Sequence, residues 1–187
     1  NKKNINLIYV SIIDVYKHQW EVVLAVNNLR KRGYKLTLKL VGPAYLPSLK
    51  KLKSQIIKID KGSWLEITNQ ISYEKLPNLY HQSDIGIFAS TCENLPNILI
   101  EMMASGLPII CSDRGPMTEI LGKTGIYFDP ENVDDIEKSL EKLIISKSLC
   151  SKLAMANYKN AKSYSWAKCS METFSFLKQV SNSFPVT

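Results

Sequence analysis

Short apolar runs alternate along this chain with longer stretches that place an apolar residue at every third or fourth position. The short runs predict strands at Ile5–Val10, Leu36–Val41, Trp64–Ile67, Asp84–Ala89, Pro108–Ser112 and Ile126–Phe128. The longer stretches predict helices at about His18–Arg32, Leu46–Lys58, Ser72–Gln82, Val133–Ile145, Leu149–Ser163 and Trp166–Val180, with a shorter one closing at Gly122. A further helix starts at Leu95 or Pro96 and stops at Gly106. Strands alternating with helices predict an α/β fold, a doubly wound, mostly parallel sheet. Such sheets bind ligands outside the carboxyl ends of their strands. The segments Ser11–Lys17, Gly42-Pro43, Asn69–Tyr73 and Ser90–Asn97 all follow predicted strands and converge there.

The stretch from Cys92 to Glu101 breaks the apolar pattern in an informative way. Glu93 stands just before the helix start, and Glu101 follows eight residues later among Ile98, Leu99, Ile100, Met102 and Met103. A carboxylate in apolar surroundings is costly unless something pairs with it. The free N–H groups at a helix start, together with the helix dipole, attract an anion such as phosphate. Acceptors on both sides of that point suit a ligand with hydroxyls on both sides of a phosphate, as in a nucleotide sugar.

These residues resemble the E-x7-E motif of the retaining GT-B glycosyltransferases, the large group 1 (family four). The resemblance runs on in order. Leu76-Pro77-Asn78-Leu79-Tyr80-His81-Gln82-Ser83-Asp84 is similar to the family's LP-x-LY-x-x-AD, and Glu101-Met102-Met103-Ala104-Ser105-Gly106-Leu107-Pro108-Ile109-Ile110 to its EAMA-x-G-x-PVV. Glu119 falls where the family has the Glu of its G-x-x-E turn, and Gly125-Ile126-Tyr127-Phe128-Asp129-Pro130 matches GLL-x-DP. Weaker similarity reaches from Tyr9-Val10-Ser11 to Ser165-Trp166.

The resemblance implies a Rossmann-like C-terminal half of a GT-B fold, with residues 1–180 as the donor-binding domain and 181–187 as a tail. It implies that a sugar passes from a nucleotide-diphosphate donor to an acceptor hydroxyl, in polysaccharide or lipid-linked glycan synthesis, with the nucleotide sugar as substrate and no cofactor. Glu101 then holds the ribose hydroxyls and Glu93 those of the transferred sugar. Lys17 binds the diphosphate with Ser11, the Gly42 loop and the backbone amides of Leu95, Asn97 and Ile98; Pro96 has no N–H to give. Ile71 and Tyr73 lie where the family seats the nucleobase. Two departures stand out: Ile12 replaces an Arg common in the family, and Asn94 and Asn97 replace glycines of its E-G-F-G segment. The family's N-terminal acceptor domain has no counterpart in these 187 residues, and the chain opens on Asn1 as a piece of a longer polypeptide would.

Composition narrows the choice further. Hydrophobic residues are 45% and charged residues 22%, as in an ordinary globular chain of one domain. The 24 Lys and Arg against 17 Asp and Glu leave +7, which favours anionic ligands or an anionic membrane surface. Lys50, Lys51, Lys53 and Lys58 gather on one predicted helix, as a solvated face or a peripheral membrane contact. No basic run interleaved with aromatics marks a nucleic-acid groove. Cys92, Cys111, Cys150 and Cys169 lack metal-ligand spacing and read as reduced thiols, in keeping with a cytoplasmic setting. His18 reads as near the phosphates and His81 as structural. No D-x-D pair or His cluster points to a metal, and no G-x-G-x-x-G points to a nicotinamide or flavin. The Gly115 to Gly122-Lys123-Thr124 stretch imitates a phosphate loop, but six residues separate its glycines where four are needed. Three alternatives stay open: a nucleotide-sugar epimerase of the same architecture, a non-catalytic nucleotide-sugar-binding module, and a plain α/β interaction domain.

Overall fold

The structure is a computed structural model that describes residues 4–59 and 63–183. Strands β1 (Ile5–Val10), β2 (Leu36–Val41), β3 (Leu65–Thr68), β4 (Ile85–Phe88), β5 (Ile109–Ser112) and β6 (Ile126–Phe128) form one sheet in the order β3-β2-β1-β4-β5-β6. Every pairing is parallel, with Ile5 opposite Leu36, Leu7 opposite Ile85 and Gly86 opposite Ile109. The sheet is therefore doubly wound, as expected, and wholly parallel among the described residues. Strands β4 and β5 are buried at every position, which is why they read as continuous apolar runs.

The helices are α1 (Gln19–Lys31), α2 (Leu46–Ile59), α3 (Leu76–His81), α4 (Asn97–Ala104), α5 (Met117–Leu121), α6 (Val133–Ile145), α7 (Lys147–Ala161) and α8 (Trp166–Ser183). Right-handed crossovers put α1 and α2 on one face and α3 to α5 on the other, because the strand order reverses between β1 and β4. Helix α6 packs against α1, and α7 against α4. The core lies on both sides of the sheet, filled by side chains such as Ile8, Val22, Leu38, Ile87, Leu99, Met103, Ile110 and Leu140.

The boundaries differ from the predicted ones where local chemistry intervenes. Helix α4 opens at Asn97, two residues later than Leu95, because Pro96 holds a non-helical ψ of 77° and the Asn97 N–H donates to the Leu95 carbonyl at 2.9 Å. The predicted helix from Ser72 splits into a 3-10 turn at Tyr73–Lys75 and α3, with Pro77 in the first turn of α3. Helix α7 starts at Lys147, since Ser146 Oγ accepts the Leu149 N–H at 3.3 Å. Helix α8 continues to Ser183, past the predicted end at Val180; residues 184–187 of the predicted tail lie outside the described residues.

Beyond the strands, the β1–α1 and β2–α2 loops stay zipped together. Ser11 N–H donates to the Val41 carbonyl at 2.9 Å and Ile13 N–H to the Pro43 carbonyl at 2.8 Å. Gly42 makes this approach: its φ is +145°, and a Cβ there would lie 2.2 Å from the Ser11 carbonyl oxygen.

Candidate functional site

The reversal of strand order between β1 and β4 opens the sheet at its carboxyl edge, and two loops meet in that opening. One is the β1–α1 loop. Asp14 caps a 3-10 turn at Val15–Lys17, and His18 follows in a left-handed conformation with φ 51°. The other runs from Ser90 to Pro96 into α4. Backbone and side chains clamp the two. The Tyr16 carbonyl accepts the Thr91 N–H at 2.9 Å and its hydroxyl at 3.3 Å. The Lys17 carbonyl accepts the Tyr9 hydroxyl at 2.7 Å. Complete burial pushes the Tyr9 phenol well above its ordinary value, so it remains a neutral donor there.

This clamp brings Lys17 and Glu93, 76 residues apart in the chain, into a direct ion pair. Their side chains keep only 8% and 15% of their exposure. The Tyr16 and Phe88 rings lie 4.9 and 5.4 Å from the Lys17 ammonium. A lysine on a loop would ordinarily stay in water; here the apolar and aromatic surroundings press it against the carboxylate.

Glu101 stands on α4, half-buried, and accepts the Tyr80 hydroxyl of α3 at 3.2 Å. Burial raises its carboxyl above the ordinary carboxylate range, and the Tyr80 hydrogen bond offsets part of that rise. Tyr80 is pushed up in turn by its burial and by Glu101, so its phenol is also a neutral donor. Two cavities share Glu101 and Tyr73. One of about 280 Å³ is rimmed by Leu76, Tyr80 and His81. The other, about 620 Å³, extends past Leu95, Asn97 and Ile100 to Tyr164 and Trp166 at the start of α8.

The structure brings together Lys17 with Glu93, and separately Glu101, Tyr73, Leu95 and Asn97 around one cavity. Ser11 accepts the Gln19 side-chain amide at 2.9 Å and touches Gly42 at the loop crossing. Ile71 packs against the core, whereas Tyr73 is 70% exposed. The Asn97 amide is engaged by the Leu95 carbonyl, so its expected part in an anion cradle is not free in this form. No acceptor among the described residues meets the Ile98 N–H. The His18 ring is buried between Thr91 and Glu21, with Nε2 3.2 Å from Thr91 Oγ1 and Nδ1 3.5 Å from Glu21 Oε2. His81, read as structural, is exposed at the rim of the smaller cavity. The four cysteines are free thiols, Cys92 exposed and Cys111 buried. Among the described residues no three His, Cys, Asp or Glu side chains gather where a metal could be held.

Tyr9, Tyr80, Thr91, Tyr164 and Trp166 join these residues unmarked by the sequence. Tyr80 and Trp166 fall within quoted motifs, but nothing in their spacing says that they face Glu101 or its cavity. Tyr9 and Thr91 act through the Tyr16 and Lys17 carbonyls, contacts that no side-chain pattern carries.

A parallel α/β sheet whose strand order reverses beside the loops that carry Lys17 and Glu93 defines a class, the doubly wound Rossmann-like domains. The chain belongs to the family described as Glycosyl transferases group 1, whose profile matches residues 1–162. It is 26% identical over 123 residues to the O-antigen chain mannosyltransferase B of Escherichia coli, covering 64% of this chain and 32% of that protein. Over 176 residues it is 26% identical to Protein CapJ of Staphylococcus aureus, covering 92% of this chain and 43% of that one. Among solved structures, Anabaena HepE in complex with UDP and glucose superposes with a TM-score of 0.85 at 18% identity, over 94% of this chain and 48% of that one. The sucrose-phosphate synthase of Thermosynechococcus elongatus gives 0.86 at 17% identity, over 98% and 47%. These likenesses match the fold to GT-B enzymes, and the chain spans less than half of each of these proteins.

Proposed function

We propose that this chain is the donor-binding half of a retaining GT-B glycosyltransferase that moves a sugar from a nucleotide-diphosphate sugar to an acceptor hydroxyl, in polysaccharide or lipid-linked glycan assembly. The observation that carries the reading is the meeting of Lys17 and Glu93 at the strand-order reversal, with Glu101 eight residues further along on α4. Lys17, Ser11 and the Gly42 loop, with the amides of Leu95, Asn97 and Ile98, receive the diphosphate; the Asn97 amide exchanges its Leu95 carbonyl for a phosphate oxygen. Glu101 accepts from the ribose hydroxyls with Tyr80 behind it, and Glu93 accepts from the sugar. Tyr73 and the Ile71 segment face the nucleobase. The departing diphosphate is stabilised by the Lys17 ammonium and the α4 dipole, with no metal required. That HepE was solved with UDP, and with UDP-glucose, supports a uridine donor as the first to try.

The acceptor side belongs to an N-terminal domain of the same enzyme. Helix α8 supports this: all its residues are exposed, and Trp166, Cys169, Phe174, Leu177 and Val180 line one side, opposite Lys168, Glu172, Ser175 and Gln179. An apolar helix face left in water is a docking surface, and the N-terminal half of the enzyme is its partner. The reading also places the protein in the cytoplasm, in peripheral contact with the membrane through the lysines of α2. Among the described residues no helix is long and apolar enough to cross a membrane. The test is a transfer assay with labelled nucleotide sugars. The polypeptide carrying both halves transfers sugar; this chain alone does not, and Leu177→Asp on α8 lowers the rate of the longer polypeptide at least tenfold. Robust transfer by this chain alone would overturn the division of labour.

A further inference from the structure

In the structure the Lys17 ammonium is not waiting for a phosphate; the Glu93 carboxylate already holds it, out of contact with most water. Two rings crowd the same ammonium, so an arriving phosphate oxygen competes with Glu93 for its N–H donors. Lys17 has the more buried side chain of the two partners. Its backbone is held by Tyr9 through the Lys17 carbonyl and by Thr91 through the Tyr16 carbonyl. Glu93 lies on a loop residue ahead of Pro96 and α4. The carboxylate is therefore the partner that yields. Taking it off the lysine leaves a poorly hydrated carboxylate beside a diphosphate of the same sign, which is costly unless other donors meet it.

We infer that Glu93 is a specificity-determining residue that makes the site favour the intact nucleotide sugar over the spent nucleoside diphosphate. The inference rests on the donor-site reading above and deepens it. When a nucleotide sugar arrives, its sugar hydroxyls donate to Glu93 as the diphosphate takes Lys17, so both charges are satisfied in one exchange. A free nucleoside diphosphate brings no hydroxyls for Glu93. It also carries roughly one more negative charge near neutral pH, since the second ionisation of a terminal phosphate lies near 6. Glu93 then stays on Lys17 and competes with the diphosphate. After transfer the carboxylate reclaims its lysine, which favours release of the product.

The test is calorimetric titration of this chain with UDP, GDP, ADP and CDP and their glucose and mannose conjugates. The wild-type chain binds a conjugate more tightly than the matching free diphosphate, against the order that charge alone would give. Glu93→Gln keeps the shape and removes the competitor. It tightens the free diphosphate roughly tenfold, the scale of one charge-assisted contact, and cuts the preference for the conjugate by at least as much. Lys17→Met weakens both ligands. Should Glu93→Gln fail to fold, the wild-type order still decides. A wild-type chain that prefers the free diphosphate, or a folded Gln variant that binds it no more tightly, overturns the inference while leaving the donor site standing. No binding of any of these ligands to the wild-type chain overturns the donor-site reading itself, and the inference with it.

Discussion

Glu101 owes its chemistry to where α4 carries it. It lies among apolar neighbours, half out of water, with the Tyr80 hydroxyl donating to it and the exposed Tyr73 and His81 at the cavity rim. Burial raises its carboxyl above the ordinary range of about 4.3. The ionised form is the one that accepts ribose hydroxyls. As pH falls through the raised value, the free protein takes up a proton that must leave before the nucleotide binds. Nucleotide affinity thus falls on the acid side, beginning at a higher pH than an exposed glutamate would impose. The limiting slope is about tenfold per pH unit. Titration with a nucleotide sugar, whose diphosphate does not ionise in that window, isolates the protein's own group. Glu101→Gln flattens the acid limb and binds weakly throughout; an unchanged limb in the Gln variant would assign the titration elsewhere. That Glu101 needs a partner was legible in the sequence, because a single charge in an apolar helix calls for one. The identity of that partner was not. Tyr80 stands 21 residues away on another helix, and only the packing of α3 beside α4 brings its hydroxyl within reach.

The strands and most helices were legible as elements because their apolar periods are clean. Strands β1 and β2 and helix α6 match their predicted limits residue for residue. The ends that moved are set by single backbone events, as at Pro96 and Ser146. The sequence shows that α2 and α8 are amphipathic but not which surface covers them. Helix α2 illustrates the limit. Leu46, Lys50, Lys53 and Ile57 share one exposed stripe, with Lys51 and Lys58 beside it and no acidic residue in the helix. Each lysine near an anionic bilayer contributes about 1 kcal/mol. Reversing Lys50 and Lys53 to Glu is therefore expected to abolish most co-sedimentation with vesicles containing anionic lipid, while leaving the melting temperature nearly unchanged. Retention of full binding, or equal binding to neutral vesicles, would mean that α2 is a solvated face.

For the molecule as a whole, topology explains why distant residues meet. Strand order reverses between β1 and β4, so the loops after these strands adjoin although 76 residues separate Lys17 from Glu93. The motif series made the two acids and Lys17 legible as a set, and the alternation of elements made their convergence an expectation. Their mutual pairing was not legible, because motif roles describe contacts with a ligand and not contacts between protein groups at rest. The local use of the Asn97 amide was hidden for a similar reason: it depends on the ψ angle of Pro96. If this half alone receives a donor nucleotide between Lys17, α4 and Glu101, that nucleotide stabilises its folded state. The direct measurement is the thermal stability of the chain with and without UDP, GDP, ADP, CDP and their sugar conjugates, for wild type and Glu101→Ala. Ligand at about 100 times its Kd adds about 2.7 kcal/mol to the folded state. One nucleotide series is expected to raise the wild-type melting temperature, and Glu101→Ala, folded, to lose the shift. A chain whose stability none of these ligands changes, or a Glu101→Ala variant that keeps the full shift, would contradict the donor-site reading.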